Sequence, residues 1–390
     1  MPTYLPKLSL GGRRISLKTL KLPKVRNELL QNKVMRPDWT QDTSKNKALL
    51  WLDKNENVDQ EYLSFIKQAT SEHWQSELNV YPNCSALYKK LAHHLNISPR
   101  NLLLGAGSDG VIRYAFETFV SSGDKVVYPH PTFAMYSVYS DMFGANSCKV
   151  HYQASPSGPY LDIDLFIKTI KDNQPTLVCL PNPDSPTGTL IPHEQLLLII
   201  EAAADVNAAI LIDEAYYPYS DYTVLPLIDQ YPNLIVTRTF SKAWGLAGAR
   251  VGFAAGNEAL INLMHKVRPM YEIGAVSAAI IDKALDCTNE MMLSVKRINE
   301  GKAYFILEMK KLGFHTLETA GNFQHVAFGD KSTIIHAALK NIVLYRQDFP
   351  GTALEGYSRF TATTQCEFKK IVDHINMALQ PCFQAIEQGE

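Results

Sequence analysis

From Leu102 onward, apolar runs of strand length alternate with segments of helical periodicity, and this alternation restricts the fold more than any other feature of the chain. Strands are expected over 102–104, 125–128, 176–180, 209–212, 234–237 and 251–254, with helices over 110–120, 164–171 and 193–204. Strands covered on both faces read as continuous apolar runs, and parallel neighbours need a crossover, usually a helix. The expectation is an α/β fold in three layers, a mainly parallel sheet between two layers of helices. Upstream, 48–52 reads as a short strand and 85–95 as an amphipathic helix with Leu87, Leu91 and Leu95 on one face. Downstream, a long helical stretch over 277–312 leads to short strands at 323–328, 342–345 and 357–361 around a helix at 332–339. That second texture predicts a smaller α+β domain.

The expected division is a basic arm over 1–48, a segment over 49–80 that joins the small domain to the site, a large domain over 81–285 and a small one over 286–390. The arm, basic from Arg13 to Arg36, reads as a solvated extension. With 390 residues, 46% hydrophobic and 20% charged, the chain resembles ordinary globular proteins of about two or three domains. A formal net charge of −1 argues against nucleic acid or an anionic membrane as partner. No apolar run approaches the ~20 residues of a membrane helix, and Met1-Pro2-Thr3 does not open a signal peptide. Cys84, Cys148, Cys179, Cys287, Cys366 and Cys382 are scattered without a C-x-x-C pair. They read as thiols of a reducing compartment, with the cytoplasm expected, and as neither a disulfide frame nor a metal site.

Chemistry concentrates in Thr239-Phe240-Ser241-Lys242-Ala243-Trp244-Gly245-Leu246-Ala247-Gly248-Ala249-Arg250. A lysine that forms a Schiff base must present a free amine to a carbonyl. Two hydroxyls beside it, with an arginine eight residues later, suit one phosphate dianion. Schiff-base lysine and phosphate clamp together point to pyridoxal 5'-phosphate (PLP).

Gly105-Ala106-Gly107-Ser108-Asp109-Gly110 follows an apolar run and opens a helix, a literal G-x-G-x-x-G. The dinucleotide fingerprint also needs an acidic residue at the end of the next strand, to hold a ribose. Here Asp124 precedes that strand and the strand ends in Tyr128-Pro129-His130, so the turn reads as a phosphate cradle and not a nicotinamide site. Asp213 closes the apolar run Ile210-Leu211-Ile212 and would point into the crevice where such sheets bind ligands. Beside a pyridine nitrogen it would keep the ring protonated and strengthen an electron sink. Tyr216, three residues on, is placed either to donate to the ring oxygen or to fill the core.

Together with Asp53-Lys54-Asn55-Glu56-Asn57, Tyr81-Pro82, Pro131-Thr132-Phe133-Ala134-Met135-Tyr136 and Pro183-Asp184-Ser185-Pro186-Thr187-Gly188, these motifs run in order from about residue 50 to 362. The chain resembles the fold-type I PLP-dependent aminotransferases of class I/II, and within them the histidinol-phosphate aminotransferase group. The resemblance implies that Lys242 is the Schiff-base lysine and proton shuttle, that Asp213 holds the pyridinium and that Tyr216 meets the ring oxygen. It places Gly107, Ser108, Thr239, Ser241 and Arg250 at the phosphate, Asp109 among the cofactor contacts, and Phe133 stacked on the ring. Asn182 and Ser185 border the ring oxygen. Tyr81 matches a tyrosine that reaches the phosphate of a neighbouring subunit, which implies a homodimer with shared sites. Arg359 would take the substrate carboxylate, Arg346 a distal anionic group, and Asn57 a further substrate contact. The implied partners are an amino donor and a 2-oxo acid, with Lys242 moving the Cα proton.

The sequence departs from that family at several points. Ser185 stands where an asparagine amide usually donates to the ring oxygen, which leaves Tyr216 as the main donor and Asn182 as the candidate to compensate. Val58 replaces a proline, and no Tyr-x-Pro-Gly-like element precedes residue 57, where the only tyrosine is Tyr4. The same residues also allow a PLP-dependent decarboxylase of a phosphorylated amino acid, or a PLP-binding sensor without catalysis.

Overall fold

The computed structural model describes residues 26, 29, 48–72, 79–220 and 222–387, the last seven by their backbone. Apart from Arg26, Leu29 and Ala48, the expected basic arm lies outside the described residues; Arg26 Nη2 donates to the Met142 carbonyl at 2.8 Å. A short strand β1 (Leu50–Trp51) and the Gln60–Thr70 and Ser85–Leu95 helices precede the central sheet.

That sheet holds seven strands: β2 (Leu102–Gly105), β3 (Lys125–His130), β4 (Asn146–His151), β5 (Leu177–Pro181), β6 (Ala209–Asp213), β7 (Leu234–Thr239) and β8 (Gly252–Gly256), in the order β2-β8-β7-β6-β5-β3-β4. From β7 to β4 every neighbouring pair is parallel. β8 alone runs against both its neighbours. The cause is its connection. β7 reaches β8 through a loop holding only a short 3-10 turn, Ala247–Ala249, so the chain doubles back beside it without a crossover helix.

β2, β5, β6, β7 and β8 are buried at every residue, because helices cover both faces. Side chains alternate between two cores. Leu102, Leu104, Ile210, Ile212, Leu234 and Val236 meet Leu91, Phe166, Ile170 and Ile199 on one side. Leu103, Leu211, Ile235 and Ala254 meet Val111, Phe116, Tyr136 and Ile261 on the other. β4 was not expected as a strand: it lies at the sheet edge, with Val150 its one buried residue, so it lacks an apolar run. The Met135–Phe143 helix and the helix from Gln365 to Glu387 also add to the expected elements.

The expected helix over 277–312 is two helices, Ala275–Ala284 and Thr288–Lys311, separated by a 3-10 turn at Leu285–Cys287. Thr288 Oγ1 bonds back to the Leu285 carbonyl at that junction, and Cys287 leaves helical geometry at φ −105°, ψ 31°. Beyond it come β9 (His315–Thr316), β10 (Phe323–Ala327), β11 (Val343–Leu344) and β12 (Tyr357–Thr361). β12, β10 and β9 form an antiparallel sheet in that order, and β11 pairs in parallel with β1. Leu52, Phe305, Phe328, Ile335, Phe360 and Phe368 build a separate core there. The register sets His325 opposite Arg359, and an isolated bridge joins Arg359 to Arg346. No helix among the described residues is long and apolar enough to cross a membrane.

Candidate active site

The C-terminal ends of β3, β5, β6 and β7 open on one crevice, where parallel sheets of this kind hold ligands, and a cavity of about 370 Å³ lies there. Strand parity sets one wall of it. Asp213 follows Leu211 by two residues, so its carboxylate leaves β6 on the Leu211 face. On that face Thr237, its partner in register, donates to Oδ1 at 2.9 Å, and Tyr136 donates to Oδ2 at 3.2 Å. Burial pushes the carboxyl up to about 6, against the two hydroxyls and the Ala215 amide, which favour the anion.

Lys242 enters the same cavity from the β7–β8 loop; its Nζ donates to the Lys54 carbonyl at 2.8 Å and stands 5.8 Å from the centre of the Tyr216 ring. The Tyr216 hydroxyl accepts from Asn55 Nδ2 at 2.9 Å. Asn55 is left-handed at φ 54°, held by Thr361 Oγ1 on its amide and Asn322 Nδ2 on its carbonyl.

At another part of the cavity the Gly107–Phe119 helix starts, with Ser108 and Asp109 in its first turn. Thr239 Oγ1 donates to Ser241 Oγ at 3.0 Å and accepts from the Ser241 amide at 3.1 Å, while Arg250 Nη2 donates to the Ala106 carbonyl at 3.1 Å. Free helix amides, two hydroxyls and a guanidinium make an anion cradle. Its closeness depends on glycine. A Cβ on Gly107, at φ +77°, would sit 2.8 Å from Arg250 Nη2, and one on Gly252 would sit 2.3 Å from the Ser108 amide nitrogen. Phe133 lines the cavity with its ring perpendicular to that of Tyr136, the centroids 5.7 Å apart.

Arg359 Nη1 donates to Ser185 Oγ at 3.3 Å and Nη2 to the Asp53 carbonyl at 2.8 Å. Its guanidinium lies over Phe323 and Phe349, 5.3 and 5.8 Å from the ring centres. Arg346 exchanges two backbone hydrogen bonds with Arg359, is exposed, and lies 5.4 Å from the Phe349 ring centre. Both arginines thus border one aromatic ring; neither lines the cavity itself, and Arg359 reaches its wall through Ser185.

Three more expected contacts, Asn57, Asn182 and Tyr81, are also not brought to the cavity. Asn57 is spent inside the fold: Nδ2 donates to the Ala243 carbonyl and to Ser294 Oγ, both at 3.0 Å, and Oδ1 accepts from the Asp59 amide. It anchors the lysine loop and touches nothing in the cavity. Asn182 likewise exchanges both side-chain hydrogen bonds with the Ile191 backbone, so it cannot stand in for the amide that Ser185 replaces. Tyr81 is 77% exposed and stacks on Tyr271 at 4.4 Å, away from this cavity. Sequence reasoning also passed over Asn55, Tyr136 and Thr237, and over Asp184. Asp184 is fully buried and accepts from Thr132 at 2.8 Å and Tyr152 at 2.7 Å.

The chain matches the family "Aminotransferase class I and II" over residues 47–375. The chain belongs to that family. The histidinol-phosphate aminotransferase of Thermoanaerobacter pseudethanolicus is 37% identical over 295 residues, covering 75% of this chain and 82% of the relative. That of Caldanaerobacter subterraneus subsp. tengcongensis is 34% identical over 74% of this chain and 81% of the relative. Among solved structures, the histidinol-phosphate aminotransferase of Sinorhizobium meliloti in complex with pyridoxal-5'-phosphate superposes with a TM-score of 0.73 at 22% identity, covering 85% of this chain and 91% of that one. The L-threonine-O-3-phosphate decarboxylase of Porphyromonas gingivalis shares the fold with a TM-score of 0.67 at 17% identity, over 85% of this chain and 100% of that one.

The protein is a PLP-dependent aminotransferase of fold type I. The residues present fit the cofactor on their own chemistry: a buried acid for the ring nitrogen, an amine for the aldehyde and a cradle for the phosphate.

Proposed function

We propose that this aminotransferase takes its amino group from a phosphorylated amine of the histidinol phosphate kind and passes it to a 2-oxo acid. The observation that carries the reading is the meeting of Lys242, Asp213 and the Ser108–Thr239–Ser241–Arg250 cradle on one cavity, with Arg359 bonded to Ser185 on its wall and Arg346 bridged to Arg359 behind it. The names of the relatives supply the donor, and the exposed Arg346 offers a cation to its phosphate.

When bound, PLP supplies an electron sink for charge developing at the substrate Cα. The chain supplies the rest. Arg250, the two hydroxyls and the helix amides hold the phosphate. Asp213, fixed by Thr237 and Tyr136, keeps a proton on the ring nitrogen. Tyr216, oriented by Asn55, donates to the ring oxygen, and the Ser185 hydroxyl is free to do the same while it accepts from Arg359. Lys242 removes the Cα proton as a base and returns it on the other side of the transfer. Arg359 grips the carboxylate of the 2-oxo acid.

The division into a large domain over 81–285 and a small one over 286–390 is part of this proposal, as are a cytoplasmic location and a homodimer. The exposed Val80, Tyr81, Met270 and Tyr271 form the face on which a second copy would seat, with Tyr81 reaching the partner's cradle. Loaded protein mixed with histidinol phosphate, and no 2-oxo acid, should convert one equivalent of donor per site without releasing carbon dioxide. No conversion would overturn the donor; carbon dioxide release from a phosphorylated amino acid would favour decarboxylation.

A further inference from the structure

The substrate-carboxylate arginine has a buried neighbour that the reaction as described leaves idle. His325 lies on β10, directly across from Arg359 on β12, so both side chains leave the sheet on one face. The two residues share their walls: Phe323 and Phe349 stand 5.5 and 5.9 Å from the His325 ring and 5.3 and 5.8 Å from the Arg359 guanidinium. His325 is 0% exposed, and neither ring nitrogen has a hydrogen-bond partner among protein groups. Arg359 Nε, also buried, has none either, although both its Nη atoms are engaged. A donor and an acceptor unpaired side by side would each carry a desolvation cost that pairing removes.

A neutral imidazole carries its proton on one nitrogen and keeps a lone pair on the other, so one ring nitrogen can accept. Burial, with the positive charges of Arg359 and Lys302 nearby, holds His325 neutral, the form in which it can accept. Asp53 Oδ1 is a further buried atom without a partner, on the residue whose carbonyl takes Arg359 Nη2.

We infer that His325 is a positioning residue for carboxylate recognition: across one buried water it accepts from Arg359 Nε and fixes the plane in which the guanidinium meets the substrate. A water there would accept from Arg359 and donate to His325, with Asp53 Oδ1 a further buried acceptor on the residue that Arg359 already holds. The inference rests on the aminotransferase reading in taking Arg359 as the carboxylate ligand.

The test measures binding of maleate, a dicarboxylate that cannot react, to the PLP-loaded protein by calorimetry, beside the L-glutamate half-reaction. Loss of one buried partner should weaken maleate about tenfold and raise the glutamate KM about tenfold in His325→Leu, with kcat and the KM of carboxylate-free amines within about twofold. His325→Gln, which keeps a neutral acceptor, should restore maleate binding to within about threefold of wild type. In an Arg359→Lys background His325→Leu should add nothing, since the Nε donor is gone. Unchanged maleate affinity in His325→Leu would overturn the inference. So would an equal fall of kcat with every substrate together with a lowered Tm, the mark of a structural role. Wild-type protein that binds maleate but is inert with glutamate would fail the proposed reaction while leaving this inference to the binding data.

Discussion

Among the described residues Asp184 has no cation as a hydrogen-bond partner: Thr132 and Tyr152 donate to its two oxygens, and burial pushes its carboxyl up to about 7. A carboxyl raised on folding stabilises fully below its unfolded value near 4, and that contribution is lost as pH rises through about 7. Cofactor-free Asp184→Asn should therefore gain more stability at pH 8 than at pH 5, by roughly 2–3 kcal/mol, in thermal unfolding at the two pH values. Equal gains at both would mean the group does not titrate in that window. Asp213 carries the same sign and is common to both proteins. The meeting of Lys242, Asp213 and Arg250 on one cavity was legible in the sequence, because each sits in a short motif whose spacing suggests a shared site. Asn55 was not, because its partner Tyr216 lies 161 residues away, and the left-handed turn at Asn55 sets which asparagine of Asn55-Glu56-Asn57 reaches Tyr216. Asn182 was misread for a similar reason: its neighbours in sequence say nothing of the Ile191 backbone that consumes its amide.

Asp213 ends β6, Tyr216 lies in the loop that follows, and that loop is pinned by Glu214. That carboxylate accepts from Thr223, the Val224 amide and Arg238, whose guanidinium also stacks 3.6 Å from the centre of the Tyr217 ring. Both partners are buried, with side-chain exposures of 10% and 2%. Glu214→Ala leaves a buried arginine uncompensated and should cost about 3–5 kcal/mol in denaturant unfolding, with looser cofactor binding. A loss under about 1 kcal/mol would show that the pair does not hold the loop. At this scale the strands buried on both faces could be read from apolar runs. β4 could not, since an edge strand exposed along most of its length carries no such run. The break at Leu285–Cys287 also stayed hidden, because apolar periodicity continues across it and only the local Thr288 hydroxyl bond marks the turn.

For the molecule as a whole, the exposed aromatic and methionine face bears on assembly. Met270 is 81% exposed next to Tyr271 of the Tyr81–Tyr271 stack, and a second copy seated there would cover these apolar groups. Met270→Asp would bury an unpaired carboxylate in the proposed dimer and should weaken association at least about tenfold in sedimentation equilibrium, with activity falling alongside. A wild-type monomer with full activity would exclude shared sites.

Attachment of the cofactor to Lys242 is the claim on which the mechanism depends, and borohydride reduction of the PLP-loaded protein followed by peptide mapping tests it directly. The expected result is one pyridoxyl group per chain, on the peptide carrying Lys242, and none on that peptide in Lys242→Ala. A stable adduct on another lysine, or none in a protein that still transaminates, would contradict the account.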